Sequence, residues 1–181
     1  MIQTYNILSL LLDYPTAELW DSRADILPAL CAEGVLSEAS LSKVETFLGY
    51  VASFADARSW QAAYSDLFDT QTKTNLYLFD MVYGTSRDRG QAMVDLKEEY
   101  LKAGLMPAED ELPDYLPMYL QYVANMDDLA QARAAIDDIR GVLTKMDDRF
   151  IKEQIPFLRQ YDTKIIANVS GNTVEEYEGM V

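Results

Sequence analysis

The 181-residue sequence contains no histidine and one cysteine, and these two scarcities remove several chemistries together. Without histidine, the chain cannot form a Ser-His or Cys-His pair, a His-containing zinc site or the Glu-x-x-His pattern of di-iron bundles. The lone thiol of Cys31 cannot form a thiolate metal site or an internal disulfide, which suits a reducing compartment. We expect no metal centre, no bound cofactor and no catalytic activity, and carboxylate-based catalysis is the least favoured alternative.

Positive charge is also scarce, since 15 lysines and arginines stand against 30 aspartates and glutamates, for a net charge of −15. A chain this acidic repels phosphate backbones, so nucleic acid is a poor partner, whereas a basic peptide is attracted. The alternative, which charge alone favours, is that the acidic residues only keep a cytoplasmic protein in solution.

Long apolar runs are absent, and none reaches the roughly 20 residues of a membrane-spanning helix, so we expect no insertion into a membrane. The N-terminus lacks a basic region, and its apolar stretch at 7–12 ends at Asp13, so no signal peptide is expected. A phosphate-binding loop is also absent, because Gly84 and Gly90 lack both the spacing and the Lys-Ser/Thr ending. Because neither a membrane-spanning run nor a signal peptide is expected, the chain is predicted to be cytoplasmic.

The sequence is instead rich in helix-forming residues, with apolar side chains at helical spacing. We predict one all-α globular bundle of about eight helices over residues 1–168, followed by an acidic tail at 169–181. Gly34 is expected to end the second helix, and Pro28 to divide or kink it. The run from Leu76 to Val82 fits a strand or a buried helix, and we predict helix because no second convincing strand is available. A final helical stretch is predicted at about 149–168.

Two arginines, Arg87 and Arg89, occupy the first turn of a predicted helix that Ser86 could cap. Positive charge there opposes the helix dipole, which favours acidic side chains at a helix N-terminus. One explanation is that the guanidinium groups hold a carboxylate or a backbone carbonyl of a ligand. The other is an ion pair with a neighbouring acid such as Asp80 or Asp88, and the sequence does not separate the two.

An acidic, tyrosine-rich stretch follows this helix. Glu111 to Pro117 contains Asp114 and Tyr115, Tyr119 and Tyr122 come next, and no lysine or arginine occurs between residues 103 and 132. Such a stretch beside exposed tyrosines could hold a basic, partly apolar peptide. The simpler alternatives are that Asp114 caps a helix with a proline in its first turn, and that the tyrosines are half-buried core residues.

Several segments of the chain resemble a single protein family. These segments are Tyr64–Asp69, Leu76–Asp80, Gly84–Leu96 and Glu111–Pro117, and the run Ser-Arg-Asp-Arg-Gly-Gln-Ala-Met in the third is specific. On them the chain resembles the nitrate reductase delta subunit family, NarJ, a branch of the redox-enzyme maturation chaperones that include TorD and DmsD. The likeness is dense from about residue 64 to 122 and weaker before residue 60, where Leu12–Pro15 resembles the usual leucine-acid-tyrosine-proline turn.

This resemblance implies an all-α, TorD/DmsD-like fold and a chaperone that is not itself an enzyme. Such chaperones bind the N-terminal segment of an apo catalytic subunit, here that of a respiratory nitrate reductase. They assist insertion of the molybdenum cofactor and assembly of the complex. One alternative is a chaperone for another molybdenum oxidoreductase. The other is a carrier of a pterin cofactor, against which the net charge of −15 argues.

The resemblance also implies a peptide-binding groove on this chain. In it, Arg87 and Arg89 fix the shape of the groove or grip the peptide backbone. Asp114 receives a basic side chain of the peptide, and tyrosines with one leucine supply apolar contact. The predicted peptide-binding residues are Leu78, Arg87, Arg89, Asp114, Tyr115, Tyr119 and Tyr122.

Overall fold

The computed structural model describes residues 1–68, 75–84, 86–107 and 111–149. Within these ranges the chain forms seven α-helices and one 3-10 helix, so the predicted all-α fold is confirmed and the number of helices is close to eight. The predicted helical stretch after Arg149 and the tail at 169–181 lie outside the described residues. The elements are α1 (Gln3–Leu12), α2 (Ala17–Glu33), α3 (Glu38–Val51), α4 (Ala57–Phe68), the 3-10 helix (Leu78–Asp80), α5 (Asp88–Lys102), α6 (Leu116–Ala124) and α7 (Leu129–Arg149).

Local signals in the sequence set the ends of α2 and α3. Thr16 Oγ1 accepts the N–H of Leu19 at 3.1 Å and caps α2. Gly34 ends α2 as predicted, with a left-handed φ of 68° that favours glycine. Ser37 Oγ accepts the N–H of Ser40 at 3.2 Å and caps α3. The short connection between the two helices is therefore fixed by its own side chains.

Pro28 lies inside α2 without ending it, so of the two predicted effects, a division or a kink, the division does not occur and the kink stays a prediction. A proline removes the hydrogen bond to the carbonyl four residues earlier, here that of Ala24. Both residues are exposed, so that carbonyl is open to water and the rest of the helix continues. Packing of the buried residues Ile26 and Leu30 on either side of the proline outweighs the local penalty.

The apolar faces form two buried clusters, and α1 contributes to both. One cluster centres on α6, where Leu120 and Val123 pack with Tyr5 of α1 and Ala132 of α7. The other joins α1 to α2, α3 and α4 and includes the buried Trp60. The first helix thus holds the two halves of the described structure together. None of the helices in the described part of the chain has the length and apolar character needed to span a membrane.

Two polar contacts fix α1. Ser9 Oγ is buried and donates to the carbonyl of Pro117 in α6 at 2.7 Å. The carboxylate of Glu33, the last residue of α2, accepts the N–H groups of Gln3 at 2.8 Å and Thr4 at 2.6 Å. Burial opposes ionisation of Glu33, but these hydrogen bonds hold its pKa below the ordinary value. Glu33 therefore caps α1 from a neighbouring helix and places negative charge at its N-terminus, where the helix dipole favours it.

The segment at 76–82 differs from its predicted helix. Tyr77 forms an isolated antiparallel bridge with Tyr115, and the 3-10 helix follows it. The N–H of Leu78 donates to the carbonyl of Asp114 at 2.9 Å, and the N–H of Leu116 donates to the carbonyl of Leu76 at 2.8 Å. Leu76 and Tyr77 are extended because the backbone groups of this segment find partners across the chain. The pairing partner was missed because it directly precedes a helix and lacks a strand pattern.

The start of α6 agrees only in part with the sequence. Pro117 lies in its first turn, as predicted. Asp114 does not cap the helix, because Tyr115 occupies the N-cap position and makes no capping bond. The carboxylate of Asp114 instead accepts the N–H of Phe79 through Oδ2 at 2.9 Å. Its hydrogen bonds join two distant segments of the chain.

Candidate functional site

A groove of about 490 Å³ lies beside the end of α1, the segment after α5 and the exposed side of α6. Its lining combines two carboxylates, two tyrosines and several apolar side chains, and none of the described residues that line it is a lysine or an arginine. We call it the acidic groove; it is lined by Asp13, Tyr100, Leu105, Met106, Pro107, Glu111, Tyr115, Met118 and Gln121. An apolar surface with charge of one sign suits a partly apolar ligand of the opposite charge.

Chain turns bring the groove residues together. Asp13 follows α1 at its C-cap position in extended backbone, just before the buried Pro15. Gly104 adopts a left-handed φ of 76° after α5 and turns the chain toward the groove. Met106, beyond this turn, is 86% exposed, and Met118 of α6 is half-buried. The groove therefore offers two flexible thioether side chains, which adapt to ligands of different shape.

Tyrosine hydroxyls hold both groove carboxylates. Tyr115 donates to Asp13 Oδ1 at 3.1 Å, and Tyr77 donates to Glu111 Oε1 at 2.8 Å. Burial and the hydrogen bond to Glu111 raise the pKa of Tyr77 to about 12. Burial, with the neighbouring hydroxyl of Tyr64, also raises the pKa of Tyr115. Both phenols therefore remain protonated at neutral pH and act as donors.

Arg89 joins two acidic residues next to the groove. Its Nη1 lies 2.7 Å from Asp80 Oδ1, and its Nη2 lies 3.6 Å from Asp114 Oδ2. Burial raises the pKa of Asp114, although the N–H of Phe79 and the charge of Arg89 act in the opposite direction. This set, which we call the Arg89 clasp (Asp80, Arg89 and Asp114), connects the 3-10 helix, α5 and the start of α6. Because Asp114 precedes Tyr115, the clasp also fixes one wall of the groove.

Of the seven residues predicted to bind a peptide, all within the described ranges, Tyr115 lines the acidic groove. Leu78 and Tyr119 are buried in the α6 cluster. Tyr122 is half-buried, and its ring centroid lies 5.1 Å from that of Tyr100, which lines the groove. Tyr122 itself does not line the groove but packs against a residue that does.

The remaining three predicted residues lie elsewhere. Arg87 and Arg89 border a more open depression of about 540 Å³ at the start of α5. Arg89 pairs with Asp80, as one of the two sequence-based explanations held, while Arg87 is exposed and forms no ion pair with a described residue. Asp114 was expected to receive a basic side chain of a ligand, but it is fully buried and receives Arg89 of the same chain. A ligand does not reach it in this conformation.

Sequence reasoning missed several groove residues. Asp13 lies in the Leu12–Pro15 turn, whose family resemblance was the one signal that could have identified it. Met106 and Met118 belong to no motif, and only the folded chain shows that they line the groove. Among the described residues, no group of three or more acidic or cysteine side chains is arranged to hold a metal ion.

The helical fold is similar to a crystal structure from Archaeoglobus fulgidus, described as a redox enzyme maturation protein. The TM-score is 0.56 at 18% identity, over 87% of this chain and 89% of that chain, and at this identity the likeness concerns the fold alone. Fold and groove thus define a helical protein with an acidic, partly apolar groove. The sequence model of the nitrate reductase delta subunit matches residues 36–164, more than half of the chain, and the chain belongs to this family.

Curated relatives agree with this assignment. The nitrate reductase molybdenum cofactor assembly chaperone NarJ of Escherichia coli K12 is 37% identical over 156 residues, which is 86% of this chain and 65% of NarJ. A protein described as the corresponding chaperone NarW of the same organism is 33% identical over 162 residues. A NarJ of Bacillus subtilis is 29% identical over 178 residues and 95% of its length. The aligned part of this chain thus spans just under two thirds of E. coli NarJ.

Proposed function

We propose that this protein is a cytoplasmic, non-catalytic chaperone that binds the N-terminal segment of the apo catalytic subunit of a respiratory nitrate reductase. Binding keeps that subunit competent for insertion of the molybdenum cofactor and for assembly of the complex. Membership of the nitrate reductase delta subunit family and the names of the relatives support this role. The observation that carries it is the acidic groove, whose charge and apolar lining match a basic amphipathic peptide.

The chemistry of the groove favours a helical peptide with a basic residue. In helix-in-groove binding, apolar side chains on one face of the peptide enter the groove, and charge at its edge sets the orientation. Met106 and Met118 supply the apolar surface, and Asp13 and Glu111 supply the charge. Because Asp13 accepts Tyr115 and Glu111 accepts Tyr77, both carboxylates are held in place before the ligand arrives.

The residues predicted from the sequence then divide into direct and supporting roles. Tyr115 contacts the peptide with its ring, whereas Asp114 and Arg89 keep Tyr115 in position. Leu78 and Tyr119 support the groove from the core, and Tyr122 does so by packing against Tyr100. Arg87, beside the more open depression, contacts the part of the client that extends beyond the groove.

Calorimetric titration tests the proposal. The ligand is a synthetic peptide of the first ~25–30 residues of the catalytic subunit of the source organism's nitrate reductase, long enough for several helical turns. We expect saturable binding that weakens about ten-fold or more between roughly 50 and 300 mM salt, because the carboxylates are near the surface and are screened. The corresponding segment of a different molybdenum oxidoreductase is the specificity control.

Charge variants locate the binding site. Asp13→Asn and Glu111→Gln remove one groove charge each with little change in volume, and each is expected to weaken binding about three- to ten-fold. Glu45→Gln on α3, where the acid is exposed and does not line the groove, is the matched control. If Asp13→Asn and Glu111→Gln both bind as tightly as the wild type and the Glu45→Gln control, the peptide does not use the acidic groove. If the wild-type protein binds no peptide, the proposed client is wrong.

A further inference from the structure

A chain of hydroxyl groups extends from the acidic groove to α4. Tyr115 donates to Asp13 Oδ1, and the Tyr115 hydroxyl lies 3.1 Å from that of Tyr64. The Tyr64 hydroxyl also donates to the backbone carbonyl of Leu12 at 3.0 Å. Tyr64 is buried and lies outside the groove lining, 51 residues from Tyr115 in sequence. One buried side chain thus contacts both the residue before Asp13 and the tyrosine that binds Asp13.

The count of protons makes the chain directional. Tyr115 has a single hydroxyl proton, and the carboxylate of Asp13 is its strongest available acceptor. The Tyr64 hydroxyl lies within hydrogen-bond distance of the Leu12 carbonyl and of the Tyr115 oxygen, and both of these groups adjoin Asp13. Asp13 Oδ1 also accepts the N–H of Tyr14 at 2.8 Å, whereas Oδ2 has no donor among the described residues. The first oxygen is held by the protein, and the second is left for a ligand.

We infer that Tyr64 is a positioning residue for the peptide site: its hydroxyl, which lies against both Tyr115 and the Leu12 carbonyl, orients Asp13 so that Oδ2 meets a basic side chain of the ligand. This inference rests on the proposed function and adds a residue that does not touch the peptide. The ring of Tyr64 is separately held by Tyr14, at 5.7 Å between centroids, and by Phe68, at 4.7 Å. Tyr64→Phe therefore removes the hydroxyl and keeps the ring packing.

A double-mutant cycle on peptide affinity tests the inference. Titrations of the full chain with the nitrate reductase peptide compare wild type, Tyr64→Phe, Asp13→Asn and the double variant. We expect Tyr64→Phe to weaken binding about five-fold in the wild-type background, the effect of one neutral hydrogen bond. In the Asp13→Asn background the same change is expected to weaken binding less than about two-fold, because the charge that Tyr64 orients is gone.

Other outcomes are decisive too. An equal loss in both backgrounds overturns the inference, because it shows that Tyr64 acts through general stability. Unchanged affinity of Tyr64→Phe, with the wild type binding normally, overturns the inference and leaves the proposed function standing. Failure of the wild type to bind removes both. Tyr50→Phe on α3, whose ring packs on Phe54 away from the groove, is the matched control and should bind as wild type.

Discussion

Removal of the guanidinium of Arg89 tests whether the Arg89 clasp stabilises the fold. Arg89→Met keeps much of the aliphatic stem but leaves Asp114, which is fully buried, with no counter-charge among the described residues. Loss of one partner from a buried ion pair destabilises by about 3–5 kcal/mol. Arg89 is 23% exposed and lies 3.6 Å from Asp114, so we expect a loss near the lower end, about 3 kcal/mol. In a chain of this size that lowers the melting temperature by about 6–12 °C.

A second substitution separates the buried charge from other effects of Arg89→Met. Adding Asp114→Asn replaces the carboxylate by a neutral amide that still accepts the N–H of Phe79, and should restore about 1–2 kcal/mol. Urea unfolding followed by tryptophan fluorescence measures both changes, with the exposed Arg87→Met as the control, expected to change stability by less than about 0.5 kcal/mol. The reasoning is refuted if Arg89→Met loses under about 1 kcal/mol, or if the double variant is less stable than the single one.

The pH dependence of Arg89→Met provides an independent check. Burial raises the pKa of Asp114 in the folded chain above its ordinary value of 3.8, so the folded state binds a proton more readily than the unfolded state. The penalty for ionised Asp114 is therefore fully present above the folded pKa, shrinks as the pH falls below it, and is gone below the unfolded value of 3.8. Removal of Arg89 raises the pKa of Asp114 further and widens the pH range over which protonation relieves the penalty. Arg89→Met should thus recover part of its lost stability on mild acidification, and the double variant should not.

Three further predictions concern single residues. Glu33→Gln removes the charge that caps α1 and should lose about 1–2 kcal/mol at neutral pH. Because the pKa of Glu33 is lowered in the folded state, the stability that its charge provides is present above pH 4.5 and is lost as the pH falls through the folded pKa. The melting curves of variant and wild type should therefore converge in acid. Pro28→Ala restores a helical hydrogen bond in α2 and should stabilise by about 1–3 kcal/mol in urea unfolding; unchanged or lower stability would contradict this reasoning. Met106→Ser should weaken peptide binding about three- to ten-fold by calorimetry without lowering the melting temperature, because Met106 is 86% exposed; unchanged affinity would contradict an apolar role.

The sequence predicted those features that depend on a few neighbouring residues. Gly34 as a helix stop and Pro117 in a first turn are both correct, because each depends on backbone geometry within about one helical turn. The bridge between Tyr77 and Tyr115 was not predicted, because its two halves are far apart in the chain and neither has a strand pattern. Local preference and tertiary pairing disagreed there, and pairing determined the structure.

The candidate site shows why charge in a sequence does not by itself identify a binding residue. Among 30 acidic residues, Asp114 stood out because it lies in a family motif, yet it is fully buried and forms an ion pair with Arg89 of the same chain. Asp13 looked like part of a turn, yet it lines the groove and is held by Tyr115 from 102 residues away. An acid contributes to recognition when one oxygen is fixed by the protein and another is open to a ligand, and this condition depends on burial and donor geometry. Asp114 and the acidic residues of the groove therefore have different physical roles, so Asp114→Asn should act mainly on stability and Asp13→Asn mainly on affinity.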